Sequence, residues 1–302
     1  MGRLGAMSRT LETPELTERS IADASRAAAR AGVEIVHLHD IDALGAASAL
    51  FADVWGTGNG EAHIPRDLLR ALTHAGNYAA GAYDDGRIVG AVAGFLGRDA
   101  RGTYLHSHIL GVEAEHRGGN VGFALKQHQR AWALSCGMDR ITWTFDPLVR
   151  RNAHFNLHKL GAEATSYHES FYGPMTDTVN AGDESDRLLV TWHLDGAPAI
   201  DAASDRLPAL DAEALISSGA AVTLATAQDD EPVIIEGRGE IVLCSSPEDI
   251  VALRRDRPER AHRWRRALRD TLGAAMGDGF VVRGFTRSGW YVLGEDDSGA
   301  LA

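Results

Sequence analysis

Rough apolar–polar alternation from Leu105 suits a strand, and the short runs Tyr78 to Tyr83 and Arg87 to Leu96 upstream read as two more. Asp84-Asp85-Gly86 between them has the residues of a tight hairpin turn. A third run starting at Tyr104 completes an antiparallel meander and enters a turn containing Arg117, Gly118, Gly119, Asn120 and Gly122. There the period changes to that of a helix, with Val121, Ala124, Leu125, Ala131 and Trp132 apolar and Gly137 placed to end it.

Upstream, Thr13-Pro14-Glu15 opens an Ala-rich helix that Gly32 ends. Val33 to His39 reads as a strand. Ile41 to Trp55 reads as a helix with Ile41, Leu44, Ala47, Ser48, Phe51 and Val54 or Trp55 on one face. A flexible glycine loop, Gly56-Thr57-Gly58-Asn59-Gly60, precedes a helix from Pro65 to Thr73. Downstream come a strand from Arg140 to Phe145, a short helix capped by Asn152 and stopped by Gly161, and strands near Ala164 to Phe171 and Leu188 to Leu194.

Residues 196–209, rich in Ala, Pro and Asp, read as a linker. Beyond it the pattern gives short strands at Val222 to Thr226, Val233 to Glu236 and Glu240 to Leu243, then a helical stretch opened by Ser246-Pro247-Glu248-Asp249 and reaching Met276. Ala261, Trp264, Leu268, Leu272 and Ala275 form its apolar face, and the many arginines beside them read as a solvated face. Strands Phe280 to Phe285 and Trp290 to Leu293 finish the chain. The division expected is an N-terminal helical extension (1–32), an α/β domain (33–195), the linker, and a smaller α/β domain (210–302) that packs or dimerises and has the order of a degenerate half-copy of the first.

Length and composition narrow the function. The chain has 302 residues, enough for two domains, with 44% hydrophobic and 24% charged residues, as in ordinary globular proteins. With no apolar run of transmembrane length and no secretory pattern, the expected place is the cytoplasm, away from membranes. Cys136 and Cys244 are too far apart in sequence for metal-ligand spacing and read as reduced thiols, so no metal is expected. A net charge of −12 argues against nucleic acid as a partner. An anionic ligand must therefore be held by local donors, and a glycine-rich turn feeding a helix N-terminus supplies them, since its unpaired N–H groups can hold a phosphate or pyrophosphate. His106 and His108, two apart on the entering strand, share one face, and imidazole is suited to act as a base near neutrality.

Taken together, Val112, Arg117, Gly118, Val121, Gly122 and Ala124-Leu125 resemble the coenzyme-A loop of the GNAT superfamily of acyltransferases, and the element order over residues 33–195 is similar to that family's. Arg117 and Gly122 match the loop pattern, while Asn120 stands where the family has a glycine; Asn is the residue that best tolerates positive φ after Gly. The resemblance implies a mixed, mostly antiparallel twisted sheet flanked by helices. It implies acetyl-CoA or another acyl-CoA as co-substrate, held by Leu110, Gly111, Val112, Arg117, Gly118, Gly119, Asn120, Val121 and Gly122. The additional C-terminal domain marks a bacterial subgroup of predicted acetyltransferases, some of whose relatives are associated with succinyl transfer.

The implied reaction is acyl transfer to the amine of a small amine or amino-acid-like acceptor. His106 and His108 are similar in placement to a pair of proton-relaying histidines in one family member, which makes His106 the base and His108 its partner. Many members carry a Tyr acid where this chain has Leu157; Tyr172 is the first substitute, Tyr167 and His154 the next, and a thiolate leaving unaided needs none. Trp55, Trp143 and Asp146 are placed as acceptor contacts, with the helix cap as the other role open to Asp146. Arg150 and Arg151 are candidates for an acceptor carboxylate or a cofactor phosphate. An acyl-CoA decarboxylase on the same fold and a non-catalytic acyl-CoA sensor are the alternatives.

Overall fold

The three strands expected over residues 78–112 form an antiparallel meander. The computed structural model describes residues 13–56, 63–173 and 183–295. Helix α1 (Thr13–Ala31) leads to β1 (Glu34–His37), α2 (Ile41–Trp55) and α3 (Arg66–His74), followed by β2 (Tyr78–Asp84), β3 (Arg87–Asp99) and β4 (Gly102–Val112). Asp40 caps α2, its side chain accepting from the N–H groups of Asp42 and Ala43. Asp85 and Gly86 both have left-handed φ, as a two-residue hairpin turn requires. The side chains of β2 then divide by parity: Tyr78, Ala80 and Ala82 enter the core shared with α1 and α4, while Ala79 enters the one under α2.

Helix α4 (Val121–Ser135) crosses to β5 (Arg140–Phe145), which runs parallel to β4. Next come α5 (Arg150–Ala153) with a wide turn over His154–Lys159, β6 (Glu163–His168) and β7 (Arg187–His193). Val149 occupies the cap position expected for Asn152 and offers no side-chain bond; Asp146 takes the Leu148 N–H instead. The expected linker folds in part, because Ala199 and Ala202 of α6 (Ala197–Ala202) are buried in the surrounding packing.

After α7 (Ala212–Ser217) the chain forms β8 (Ala221–Thr226), β9 (Pro232–Ile234) and β10 (Ile241–Ser245). Helix α8 (Ile250–Asp256) is capped by Asp249 and not by Ser246, which is buried and bonds to the Gly289 carbonyl. Helix α9 (Pro258–Leu268) continues through a wide turn at Arg269–Gly273 into α10 (Ala274–Gly277), and β11 (Phe280–Phe285) and β12 (Trp290–Glu295) end the described chain. Proline at the start of α9 breaks the single helix expected over this stretch. The strands make one continuous sheet in the order β1-β2-β3-β4-β5-β7-β6-β11-β12-β10-β8-β9. Within it, β4-β5-β7-β6 recurs as β8-β10-β12-β11, each set pairing parallel, antiparallel and antiparallel. The halves meet where β6 pairs with β11. Among the described residues no helix is long and apolar enough to cross a membrane.

The arginines of α8 and α9 correct the expectation of a wholly solvated face. Arg265 donates to both carboxylate oxygens of Asp146, at 2.9 Å each, and to Asp183 at 3.0 Å. Arg254 joins the same two acids at 2.5 and 2.8 Å. The side chains of Arg265 and Asp146 are 1% and 6% exposed, so neither charge is shared with solvent. Burial pushes the Asp146 carboxyl up, but Arg265 and Arg254 outweigh it and hold it well below the usual carboxylate range. Arg255 and Arg263 do face solvent.

Removing Arg265 leaves two buried carboxylates sharing the guanidinium of Arg254. Arg265→Met is therefore expected to cost about 3–5 kcal/mol of stability in urea unfolding. A loss below about 1 kcal/mol would place the tie between the halves elsewhere.

Candidate active site

Strand β4 pairs with β5 at only two positions, Leu105↔Ile141 and His106↔Thr142. Strand β5 continues against β7 as far as Phe145↔Leu188, while β4 runs on from Ser107 to Val112 with no strand partner on that side among the described residues. The two strands part at His106.

A bulge tunes the side chains at the same place. Ala93 faces Ile109 and Gly94 faces Ser107, so His108 is an extra residue in β4. His106 and His108 stay on one face, as expected, with their rings 6.4 Å apart and Phe95 lying 5.0 and 5.7 Å from them. Beyond the bulge the parity reverses: Leu110 and Val112 pack with the α4 core. Gly111 turns toward α2, where a Cβ would meet Leu50 at 3.0 Å. Its lack of a side chain is what lets α2 close on the strand.

The turn after β4 has the conformation its sequence implies. Gly118 has φ 86° and Asn120 φ 67°, so Asn120 does the work of the absent glycine. Its side-chain oxygen accepts from Lys159 and makes no cap. The N–H groups of Val121, Gly122 and Phe123 thus lack an intrahelical partner and a side-chain cap. A Cβ on Gly122 would find its nearest protein atom, Leu110 Cδ2, at 3.7 Å. The fold itself does not demand glycine there; the floor of the cradle is what it keeps open. Arg117, held to the Val112 carbonyl at 3.2 Å, and Arg151 flank it. Burial lowers the Arg151 guanidinium pKa, the nearby Arg117 charge adding to that and Asp249 opposing it. Such donors fit the pyrophosphate of an acyl-CoA.

On the opposite side of the parting, His106 Nδ1 lies 3.1 Å from Thr142 Oγ1. Burial, then the neighbouring His108 and Lys126, lower its pKa to about 4. His106 is thus neutral at pH 7. The His108 pKa is lowered by burial and by His63. Two residues along β5, Thr144 Oγ1 lies 3.2 Å from the hydroxyl of Tyr172. Thr142 and Thr144 share a strand face about 7 Å apart, which brings His106, His108 and Tyr172 onto one wall.

Other expected contacts lie elsewhere. Trp143 points to the far face and is buried, with the ammonium of Lys126 3.7 Å from its ring centroid. Lys126 is itself fully buried behind β4 and donates to Ser107 at 2.8 Å. Asp146 is enclosed by arginines and unavailable to an ammonium. Tyr167 donates to Asp186 at 2.7 Å, and burial together with that carboxylate pushes its hydroxyl pKa up, which unsuits it as an acid. His154 lies on the wide turn beside the cradle, its ring tilted 47° to that of His158 at 4.9 Å. Leu157 is buried. Trp55 packs partly against the core under α2, and its Nε1 is buried without a partner among the described residues. Of the adjacent glycine loop, residues 57–60 lie outside the described residues. Thr142 and Thr144 were missed, although their spacing on a strand that also carries Trp143 and Phe145 was a usable signal. Among the described residues no group of three or more His, Cys, Asp or Glu side chains is arranged to hold a metal ion.

Residues 44–162, which span α2 through the cradle to the end of the wide turn, match the acetyltransferase (GNAT) family. Similar solved structures include Arabidopsis thaliana Naa50 in complex with the bisubstrate analogue CoA-Ac-MVNAL, at 21% identity over 53% of this chain and 97% of that one, TM-score 0.41. The ribosomal-protein-S18-alanine N-acetyltransferase from Escherichia coli is similar at 13% identity over 55% and 96%, TM-score 0.43. An aminoglycoside acetyltransferase from an uncultured soil metagenomic sample, in complex with sisomicin, is similar at 18% over 38% and 78%, TM-score 0.35. No curated protein matches the chain. On the family match, the chain carries a GNAT acetyltransferase domain, the domain of acyl-CoA-dependent N-acyltransferases.

Proposed function

We propose that the protein moves an acetyl group, or a succinyl group, from acyl-CoA to the amine of a small amine or amino-acid-like acceptor by direct attack in a ternary complex. The observation that carries this reading is the position of His106: it sits where β4 leaves β5, on the wall that also bears Tyr172, with the anion cradle at the far end of the same strand. With Nδ1–H donated to Thr142, Nε2 is left as the accepting atom. An imidazole with pKa near 4 is a weak base toward a free ammonium. As the amine nitrogen bonds to the thioester carbon, however, its N–H becomes strongly acidic, and a neutral His106 accepts that proton. His108 supports it from the same face. Collapse of the tetrahedral species breaks the carbon–sulfur bond, and the Tyr172 hydroxyl supplies the proton to the leaving thiolate.

The cradle residues Arg117 to Gly122 hold the cofactor's pyrophosphate in this reading, and the open edge from Leu110 to Val112 faces its extended arm. The half after residue 210 carries no comparable glycine turn, and its strand order repeats that of the first half. We assign it a supporting role as a degenerate half-copy.

Gly122→Val is expected to leave the fold intact, since a Cβ meets only ordinary contacts, and to weaken acyl-CoA binding by roughly tenfold or more. Calorimetry giving unchanged affinity would remove the cradle from the binding site.

His106→Gln is expected to lower turnover by about 10²–10⁴-fold with acyl-CoA affinity nearly unchanged. In the wild type, protonation removes the base only as pH falls through about 4, so kcat/KM governed by His106 stays level from pH 7 down past 6.5. An acid limb centred near 6.5 that disappears in the Gln variant would show a solvated imidazole. Near-wild-type turnover in that variant at pH 7 would move the base to another residue.

A further inference from the structure

Tyr172 lies four residues past the end of β6, on a turn that needs outside support. Ser170 has φ 45°, a left-handed conformation costly for a residue with a side chain and kept only where neighbours over-determine it. Those neighbours are Ser185 and Asp186. The Ser170 N–H donates to Asp186 Oδ1 at 3.0 Å, and the Phe171 N–H to the Ser185 carbonyl at 3.0 Å. The Tyr172 N–H donates to Ser185 Oγ at 2.9 Å, and that hydroxyl donates to the Gly173 carbonyl at 2.6 Å. Four hydrogen bonds hang the turn on two residues.

Asp186 is fully buried, so its own placement depends on a counterion. Arg269, at the start of the wide turn after α9, supplies it. Its Nε donates to Oδ2 at 3.0 Å and its Nη2 to Oδ1 at 2.7 Å, a two-pronged grip that fixes the carboxylate plane. The same oxygens take the Tyr167 hydroxyl and the Ser170 N–H. Nη2 also reaches Glu184, and Glu169 lies 3.6 Å from Nε. Burial raises the Asp186 pKa, but the bonds from Arg269, Ser170 and Tyr167 outweigh it and hold the group charged.

We infer that Arg269 of the C-terminal half is a positioning residue for Tyr172, acting through Asp186 and the turn 170–173. The inference rests on the reading of Tyr172 as the proton donor. Without the guanidinium, Asp186 is a buried carboxylate short of its counterion; it rotates or takes a proton, and the Ser170 N–H loses a fixed acceptor. The Tyr172 ring then samples positions away from Thr144 and the sulfur it must serve.

The test is a double-mutant cycle in the full-length protein, combining Arg269→Gln with Tyr172→Phe, with kcat, KM for acyl-CoA and amide exchange of residues 170–173 as readouts. Arg269→Gln is expected to lower kcat by about tenfold with acyl-CoA KM within about twofold, and to add less than about twofold in the Tyr172→Phe background. Faster exchange at Phe171 and Tyr172 accompanies it. Arg269→Lys, which keeps charge but not the fork, is expected to recover part of kcat, and it carries the test if Arg269→Gln does not fold. Equal losses in both backgrounds would overturn the inference, as would an unchanged kcat in Arg269→Gln where Tyr172→Phe is slow. Wild-type turnover in Tyr172→Phe with accelerated exchange in Arg269→Gln would overturn Tyr172 as donor and the inference with it, while showing that the mechanical link exists.

Discussion

Strand β5 cannot serve two neighbours along its whole length, and the site follows from how that conflict is resolved. Toward β7 it makes six register pairs, and toward β4 only two. The ladder groups that β4 would have offered from Ser107 onward face a gap. Backbone polar groups removed from water without partners cost about 1–3 kcal/mol each, so a gap of this kind is stable only where water or a ligand completes it. An extended molecule carrying amides along its length can complete it as a strand would, which is the shape of the arm of an acyl-CoA. The bulge at His108 belongs to the same solution. Without it, Leu110 and Val112 would share the face of the histidines; with it they line the cradle beside Gly122.

Local physics was enough to read much of this from the sequence. Helix α2 and strand β5 have the expected limits, Ile41–Trp55 and Arg140–Phe145, because periodicity and flanking turns set them. Asn120 at positive φ follows from the residue type alone. What stayed hidden depends on distant partners. Asp146 reads as an acceptor contact or a helix cap until Arg265 is placed against it from 119 residues away. Trp143 reads as a cleft aromatic until strand parity turns it toward Lys126. No residue pattern announces the bulge, since it is a choice between registers made by the packing of α2 and α4 on the two faces.

Lys126 shows how the two sides of β4 act on each other. Its ammonium is fully buried, bonded to Ser107 and Gln129 and resting on Trp143. Burial pushes its pKa well down. Whatever charge it keeps lies one residue from His106 on the other face of the strand and lowers that imidazole's pKa in turn. Basicity at the site is therefore set partly from within the core, by a side chain no substrate can touch.

The C-terminal half is tied to this chemistry by charge balance. Asp146, Asp183 and Asp186 are all buried in the first half; Arg254, Arg265 and Arg269, which pair with them, come from the second, and Arg187 of the first half adds its charge beside Asp146. Arg254 lies on α8, Arg265 on α9 and Arg269 at the start of the wide turn that follows, so two helices are needed to bring the three to the acids. A chain cut at the end of β7 would have to bury three carboxylates without those counterions or open the β5 and β7 ends to water. Either change reaches the wall of the site, because Thr144 and the turn bearing Tyr172 lie on those same ends. The second half therefore acts on the proposed chemistry by neutralising the acids on which one wall of the site is built.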